Sequence, residues 1–240
     1  MFLRYRTLGF VFKKEDKGEA DQIFKIFTKD FGKVEVLAKG IRKISSKLRP
    51  QIDIFYLSEI EFIQGKIYKR LIGAFCVEKF KNLRRSFKRL SIAYQTCEAL
   101  DKLIKGEEKD ERIWKLILEV FISLDKEKFK VCSLVYFYFF WKLASILGHK
   151  PELYFCCGCQ KRPELKKVYF NPGEGGIICQ TCFSRIKQGE EVSQNLIKIL
   201  RIILEKNLEF LKKVKAREKV VEELKEISNS YFLFLTQNNV

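Results

Sequence analysis

The chain has 240 residues, is 47% hydrophobic and 14% aromatic, and contains only 4 prolines and 13 glycines. That composition excludes disorder and long flexible linkers as descriptions of it. Forty-seven Lys and Arg stand against thirty Asp and Glu, a net charge of +17, and a folded chain with such an excess repels itself unless a polyanion offsets it. Heat-adapted proteins also carry Lys/Glu-rich surfaces, which accounts for many charges of both signs but not for the imbalance. The charge favours a nucleic-acid partner.

The first eighty residues read as strands. No secretory leader is expected, because Arg4 and Arg6 come early and no small-residue cleavage site follows. RTLGFVFKK (Arg6 to Lys14) is a short apolar run, followed by the polar turn EDKGEAD around Gly18. Two further runs flank the turn Lys29-Asp30-Phe31-Gly32. In the second, Val34, Val36 and Ala38 alternate with Lys33, Glu35 and Leu37, the period-2 pattern of a half-buried strand. QIDIFYLSEIEFIQG and KIYKRLIGAFCVEKF form another expected hairpin, turning at Gln64-Gly65-Lys66. About five short strands with a basic connection in the middle match a small closed barrel, with the OB-fold as the candidate.

After Phe80 the period changes to that of helices. Leu83, Phe87, Leu90, Tyr94, Cys97, Leu100 and Ile104 define one expected helix, and Ile113, Trp114, Ile117, Leu118, Phe121 and Leu124 a second. The segment VCSLVYFYFFWKLASIL (Val131 to Leu147) is interrupted by Lys142 and ends at Gly148. It is shorter than the roughly 20 apolar residues a membrane span needs, so a buried core helix is expected. Leu196, Ile199, Leu200, Ile203, Leu204, Leu208 and Leu211 predict a fourth helix with Ser193 as N-cap, and Val220, Val221, Leu224, Ile227, Tyr231 and Leu235 a fifth. The expected architecture is multidomain α+β: a barrel at 1–80, a helical domain begun at 81–154 and completed at 185–240, and a cysteine-rich insertion at 155–184.

That insertion holds Cys156-x-x-Cys159 and Cys179-x-x-Cys182, separated by nineteen residues. Two such pairs at this spacing are the pattern of a four-thiolate zinc site, since each turn aims two sulfurs at one point. Cys157 is read as a neighbour, a contiguous pair fitting one tetrahedron less readily. A redox pair would need a βαβ context. Disulfides would need an oxidising compartment, hyperthermophiles excepted. A zinc deaminase would need H-x-E, whereas the sole histidine, His149, precedes Lys150-Pro151. Four thiolates leave the metal no open position, so Zn2+ is expected to be structural. Cys76, Cys97 and Cys132 fall on apolar faces and are expected to be small core residues.

The densest charge is in KVEVLAKGIRKISSKLRP, where Lys33, Lys39, Arg42, Lys43, Lys47 and Arg49 face one acid, Glu35. Cations on a loop beside a barrel can follow a phosphate backbone. A second cluster, Lys79, Lys81, Arg84, Arg85, Lys88 and Arg89, lies where barrel passes to helix, and a solvated face explains it equally well. No base-specific code and no Walker-type phosphate loop is present. A metal enzyme would need an open coordination position. The leading alternative to a DNA-binding protein is a zinc-ribbon factor that binds RNA or protein in transcription or translation.

Three stretches resemble the RecO family of bacterial recombination mediators. GFVFKKEDKGEADQIFKIFTKDFGKVEVLAKGIRK is similar to the family's opening, SSKLRPQIDIFYLSEIEF to its basic turn and following strands, and YFNPGEGGIICQTC to its F-x-P-x-x-G-G-x-x-C-x-x-C segment. Gln160 stands where a glycine more often follows the second cysteine. The resemblance implies an N-terminal OB-fold, a helical domain and a zinc finger, with Cys156, Cys159, Cys179 and Cys182 as ligands and Lys39, Arg42 and Lys43 in the DNA-contacting segment. It implies no enzyme activity. The implied function is binding of single- and double-stranded DNA, annealing of complementary strands, and loading of RecA with the partner RecR onto DNA coated by single-strand-binding protein, whose acidic C-terminal tail is recognised. The implied setting is the cytoplasm, on the nucleoid, away from membranes.

Overall fold

Alternation in the first eighty residues produces five strands in the computed structural model, which describes residues 3–126, 134–164 and 167–237. They are β1 (Arg4–Lys17), β2 (Asp21–Thr28), β3 (Gly32–Ala38), β4 (Leu57–Ile63) and β5 (Lys69–Glu78), closed in the order β1-β2-β3-β5-β4. β1 makes closure possible because it is long: Arg4 to Phe10 pair with β4, Gly9 to Lys17 with β2, and the register shifts between Val11 and Lys13. β3 and β5 then meet in parallel at Val36–Lys69 and Leu37–Arg70. Inward residues of every strand fill the barrel: Val11, Phe24, Ile26, Val34, Val36, Ala38, Ile60, Phe62 and Leu71 are all buried. This is the expected OB-like barrel, with one adjustment: Glu15, Asp16 and Lys17 continue β1 and the turn is confined to the residues after them.

Two helices complete this compact unit, Met1–Glu127. Helix α1 spans Phe87–Leu103, and α2 spans Glu111–Asp125, capped by the Asp110 carboxylate, which accepts the N–H groups of Arg112 and Ile113. Phe121 of α2 seats against Phe10 at 4.3 Å between ring centroids, with Phe55 and Phe80 beside it. The expected stripe on the first helix holds at Cys97, Leu100 and Ile104 and fails in its first half. Leu83 belongs to a preceding short turn, Ser86 is extended, and the helix restarts at Phe87. It buries Ile92, Ala93, Thr96, Cys97, Leu100 and Leu103, leaving Phe87 and Tyr94 exposed.

The second compact unit is Lys128–Val240. Helix α3 (Val135–Ile146) is apolar on all sides and almost wholly buried. Its one charge is satisfied, Lys142 donating to the Leu204 carbonyl at 2.8 Å. The start of the expected core segment, with Cys132, lies outside the described residues. Among the described residues no helix is long and apolar enough to cross a membrane. A three-stranded sheet, β7-β6-β8, follows: β6 (Val168–Asn171), β7 (Gly176–Cys179) and β8 (Glu190–Val192), with helix α4 (Gln180–Ile186) between β7 and β8. The expected fourth helix is two, α5 (Gln194–Glu205) and α6 (Leu208–Leu211), because Lys206 is extended and the Asn207 side chain caps α6 by accepting the Phe210 N–H. Helix α7 (Glu218–Gln237) closes the unit. Trp141 of α3 ties it together, donating to the Ser228 hydroxyl at 2.9 Å and stacking on Tyr231 at 5.0 Å. Phe170 of β6 meets both rings edge-on, which docks the sheet on the helices.

Candidate metal centre and nucleic-acid interface

The four spaced cysteines come together. The Sγ atoms of Cys156, Cys159, Cys179 and Cys182 all lie within 4.8 Å of one another, and those of Cys159 and Cys179 are 3.9 Å apart. Sulfurs at the corners of a tetrahedron with metal–sulfur bonds of about 2.3 Å would be about 3.8 Å apart, so this donor set fits a tetrahedral ion. Cys156 and Cys159 sit in a tight turn closed by the Gln160 N–H donating to the Cys156 carbonyl at 2.8 Å. Gln160 has a φ of 58°, the left-handed conformation that favours glycine, and its side-chain amide bonds the Cys157 carbonyl. Cys179 ends β7 and Cys182 lies one turn later on α4. The two turns meet closely at Gly158, where a Cβ would be 3.0 Å from the Cys182 sulfur.

The local field prepares the thiols unequally. Burial opposes ionisation of Cys156, but N–H groups of Cys179, Cys159 and Gly158 outweigh it and bring the thiol down to about 6. Burial pushes Cys182 up to about 12, helped by hydrogen bonds with the other three thiols. Cys157 packs against the cluster with its N–H bonded to the Ile177 carbonyl, and burial followed by the charge of Glu152 raises it to about 11.

The basic segment is an ordered loop between β3 and β4. Three of its apolar residues are staples: Ile41 and Ile52 are buried in the barrel core and Leu48 packs against it, whereas Ile44 is exposed. Gly40, at φ 63°, donates its N–H to the Asp21 carboxylate at 2.7 Å, and the Arg42 N–H reaches the Ala20 carbonyl at 3.0 Å. Between these staples Lys39, Arg42, Lys43, Lys47 and Arg49 are exposed. The Arg42 guanidinium lies 3.2 Å from Asp16 near the end of β1 and bonds the Gly18 carbonyl, which ties the loop to the β1–β2 turn. Lys17, the last residue of β1, sits 3.7 Å above the Tyr68 ring of the β4–β5 loop. Three loops therefore converge at one end of the barrel and add exposed Lys17, Lys66 and Arg70 to the basic rim. Sequence reasoning missed these three, because the stagger that places β5 beside the end of β3 is not written in any one strand.

Lys33 is elsewhere. Its ammonium donates to the carbonyls of Asp101 and Ile104 at 2.7 and 3.0 Å and lies 3.1 Å from the Asp101 carboxylate, clamping β3 to α1. Lys13 and Lys25 converge on the same carboxylate. The outer face of β2 and β3, where OB barrels commonly take ligands, is thus engaged by α1. In the second basic cluster Arg84 lies over the Phe55 and Tyr56 rings and bonds the Ile54 carbonyl, while Lys79 lies 5.4 Å over Tyr56. Cys97 is buried on α1, and Cys76 is half-buried on β5.

The fold and site define a class, a strongly basic protein with an OB-like barrel, helices and a four-cysteine centre, and comparison narrows it. Residues 1–80 match the model of the Recombination protein O N-terminal region, and residues 84–239 that of the Recombination protein O C-terminal region. The chain is similar to the DNA repair protein RecO of Dehalococcoides mccartyi, 30% identical over 92% of this chain and 86% of that one. It is likewise similar to RecO of a Thermoanaerobacter species (26%, over 94% and 90%) and of Alkaliphilus metalliredigens (27%, over 95% and 92%). The chain belongs to the RecO family of DNA repair and recombination proteins.

Proposed function

We propose that the chain binds single- and double-stranded DNA through the basic rim of its barrel and anneals complementary strands without catalysing bond cleavage. The observation that carries this is the stapled loop: Ile41, Leu48 and Ile52 fix its course while Lys39, Arg42, Lys43, Lys47 and Arg49 stand exposed along it. Cations held in this way meet a phosphate backbone with little ordering cost, and cations that neutralise two strands raise their rate of encounter. Lys33 is left out, its charge being taken up by Asp101. Residues 1–80 supply the DNA-binding barrel, 155–184 a structural Zn2+ clip with Cys156, Cys159, Cys179 and Cys182 as ligands, and 81–154 with 185–240 the helical frame. Family membership supports the partners: RecR, the acidic tail of single-strand-binding protein, and RecA loaded indirectly, on the nucleoid in the cytoplasm.

The test is single-strand affinity across a salt series for the triple variant Lys39→Ala, Arg42→Ala, Lys43→Ala. The expected result is weaker binding and a log–log salt slope shallower by about 0.7 for each lost phosphate contact. An unchanged slope would place the DNA-binding face elsewhere.

A further inference from the structure

The metal module carries cations that metal binding does not use. Beside the cysteines is a cleft of about 830 Å³ whose floor includes Cys159, Cys179 and Cys182. Lys161, Arg162, Lys167 and Arg185 line it, all exposed, against a single acid, Glu164. None of these four makes an ion pair among the described residues. Gln180 and Thr181 add exposed hydrogen-bonding side chains to the same wall.

One reading of such cations is that they balance the thiolates. Four thiolates on a divalent ion leave two negative charges, and Glu164 adds a third. The cations outnumber these charges, and all four are exposed along the cleft. Exposed, unpaired Lys and Arg along a groove are the feature that follows a phosphate backbone.

We propose that this cleft is a second site for the phosphate backbone of a nucleic-acid strand, carried by the metal module and separate from the barrel loop. It rests on the reading that the chain handles DNA. A chain with two backbone sites in two compact units holds two strands at once, which adds local concentration of the second strand to the charge neutralisation at the barrel rim.

The experiment uses the full zinc-loaded chain with Lys161→Gln, Arg162→Gln, Lys167→Gln and Arg185→Gln combined, beside the wild type and the triple barrel-loop variant. Zinc content, binding of a labelled oligonucleotide, and annealing of complementary strands are measured at low salt. The cleft variant keeps its zinc and its first-strand affinity within about twofold, and loses annealing by about tenfold. The barrel-loop variant retains weak, salt-sensitive binding that vanishes when the cleft substitutions are added, a readout that stands even if one variant folds poorly. Loss of zinc with unchanged annealing would overturn the proposal and leave the cations as charge balance for the thiolates. Competition by polyglutamate as effective as by oligonucleotide would overturn it in favour of an acidic protein partner. Wild-type protein that neither binds nor anneals would instead remove the functional reading on which the proposal rests.

Discussion

Asp101 shows how one side chain redirects a surface. Three lysines from the barrel converge on it, Lys13 at 2.8 Å, Lys33 at 3.1 Å and Lys25 at 3.3 Å. Burial alone would raise its carboxyl, but hydrogen bonds from Lys13 and Lys33 and the charges of Lys33 and Lys25 bring it down from 3.8 to about 2. A carboxylate with a depressed folded value adds stability that is fully present above its unfolded value and fades as pH falls. The shift corresponds to about 2 kcal/mol, present above about pH 4 and lost as pH falls toward 2. Asp101→Asn removes that term and leaves the Lys33 ammonium without a carboxylate, while Lys13 and Lys25 keep Glu15 and Glu35. Chemical denaturation of the barrel unit should therefore give a loss of about 2 kcal/mol or somewhat more, and an unchanged midpoint would mean the clamp is only a surface pairing. Gly158 is the second decisive residue. With a Cβ meeting the Cys182 sulfur at 3.0 Å and its Cβ at 3.2 Å, Gly158→Ala forces the Cys182 side chain to give way by a few tenths of an ångström within a cluster that must hold its sulfurs in register. Metal content of the purified variant should drop, and full zinc occupancy would contradict the close packing of the two turns.

At the scale of elements, the metal module and the basic loop are built by opposite means. The module has a small apolar core, Cys156, Ile178 and Cys182 with Tyr169, Phe183 and Ile186 around them. A metal ion ligated there would supply part of its folding free energy. Since an ion binds thiolates, protons compete with it, and the high Cys182 thiol, at about 12, is the most costly to displace. Metal affinity should fall as pH is lowered, most steeply once Cys156, near 6, also protonates. Zinc release followed by a chromogenic chelator checks this, and release independent of pH would contradict thiolate ligation. The loop needs no metal because Ile41 and Ile52 are already in the barrel core. Both elements were legible as residues: C-x-x-C spacing announces the first, and cations interrupted by Gly40 and Ser45 the second. Their settings were less so. Nothing local in Lys33 distinguishes it from Lys39, because its partner Asp101 is a long-range neighbour. The first half of the α1 stripe, Phe87 and Tyr94, was misplaced because Ser86 resets the helix, and the break at Asn207 was hidden by leucines that keep helical spacing across it. β8 is three residues of Glu-Glu-Val, too short and too polar for a strand signal, and exists through its pairing with β6.

For the whole molecule, the charge of +17 has identifiable places. Part of it is internal: Lys13, Lys25 and Lys33 fasten α1 to the barrel. Part is displayed on the stapled loop and its neighbouring turns, and part lines the cleft of the metal module. Each of the two compact units displays a basic surface, and strand handling is accordingly tested on the full chain. Exposed phosphate contacts of this kind are electrostatic and sequence-tolerant, and they weaken as salt rises. The most direct measurement is the rate at which the zinc-loaded chain anneals complementary DNA strands, with no nucleotide added, from low to high salt. Acceleration at low salt that fades steadily as salt rises is expected, with a smaller, flatter effect for the variant with Lys39, Arg42 and Lys43 replaced by Ala. Absence of acceleration by metal-loaded wild-type protein at low salt would contradict strand annealing as the function.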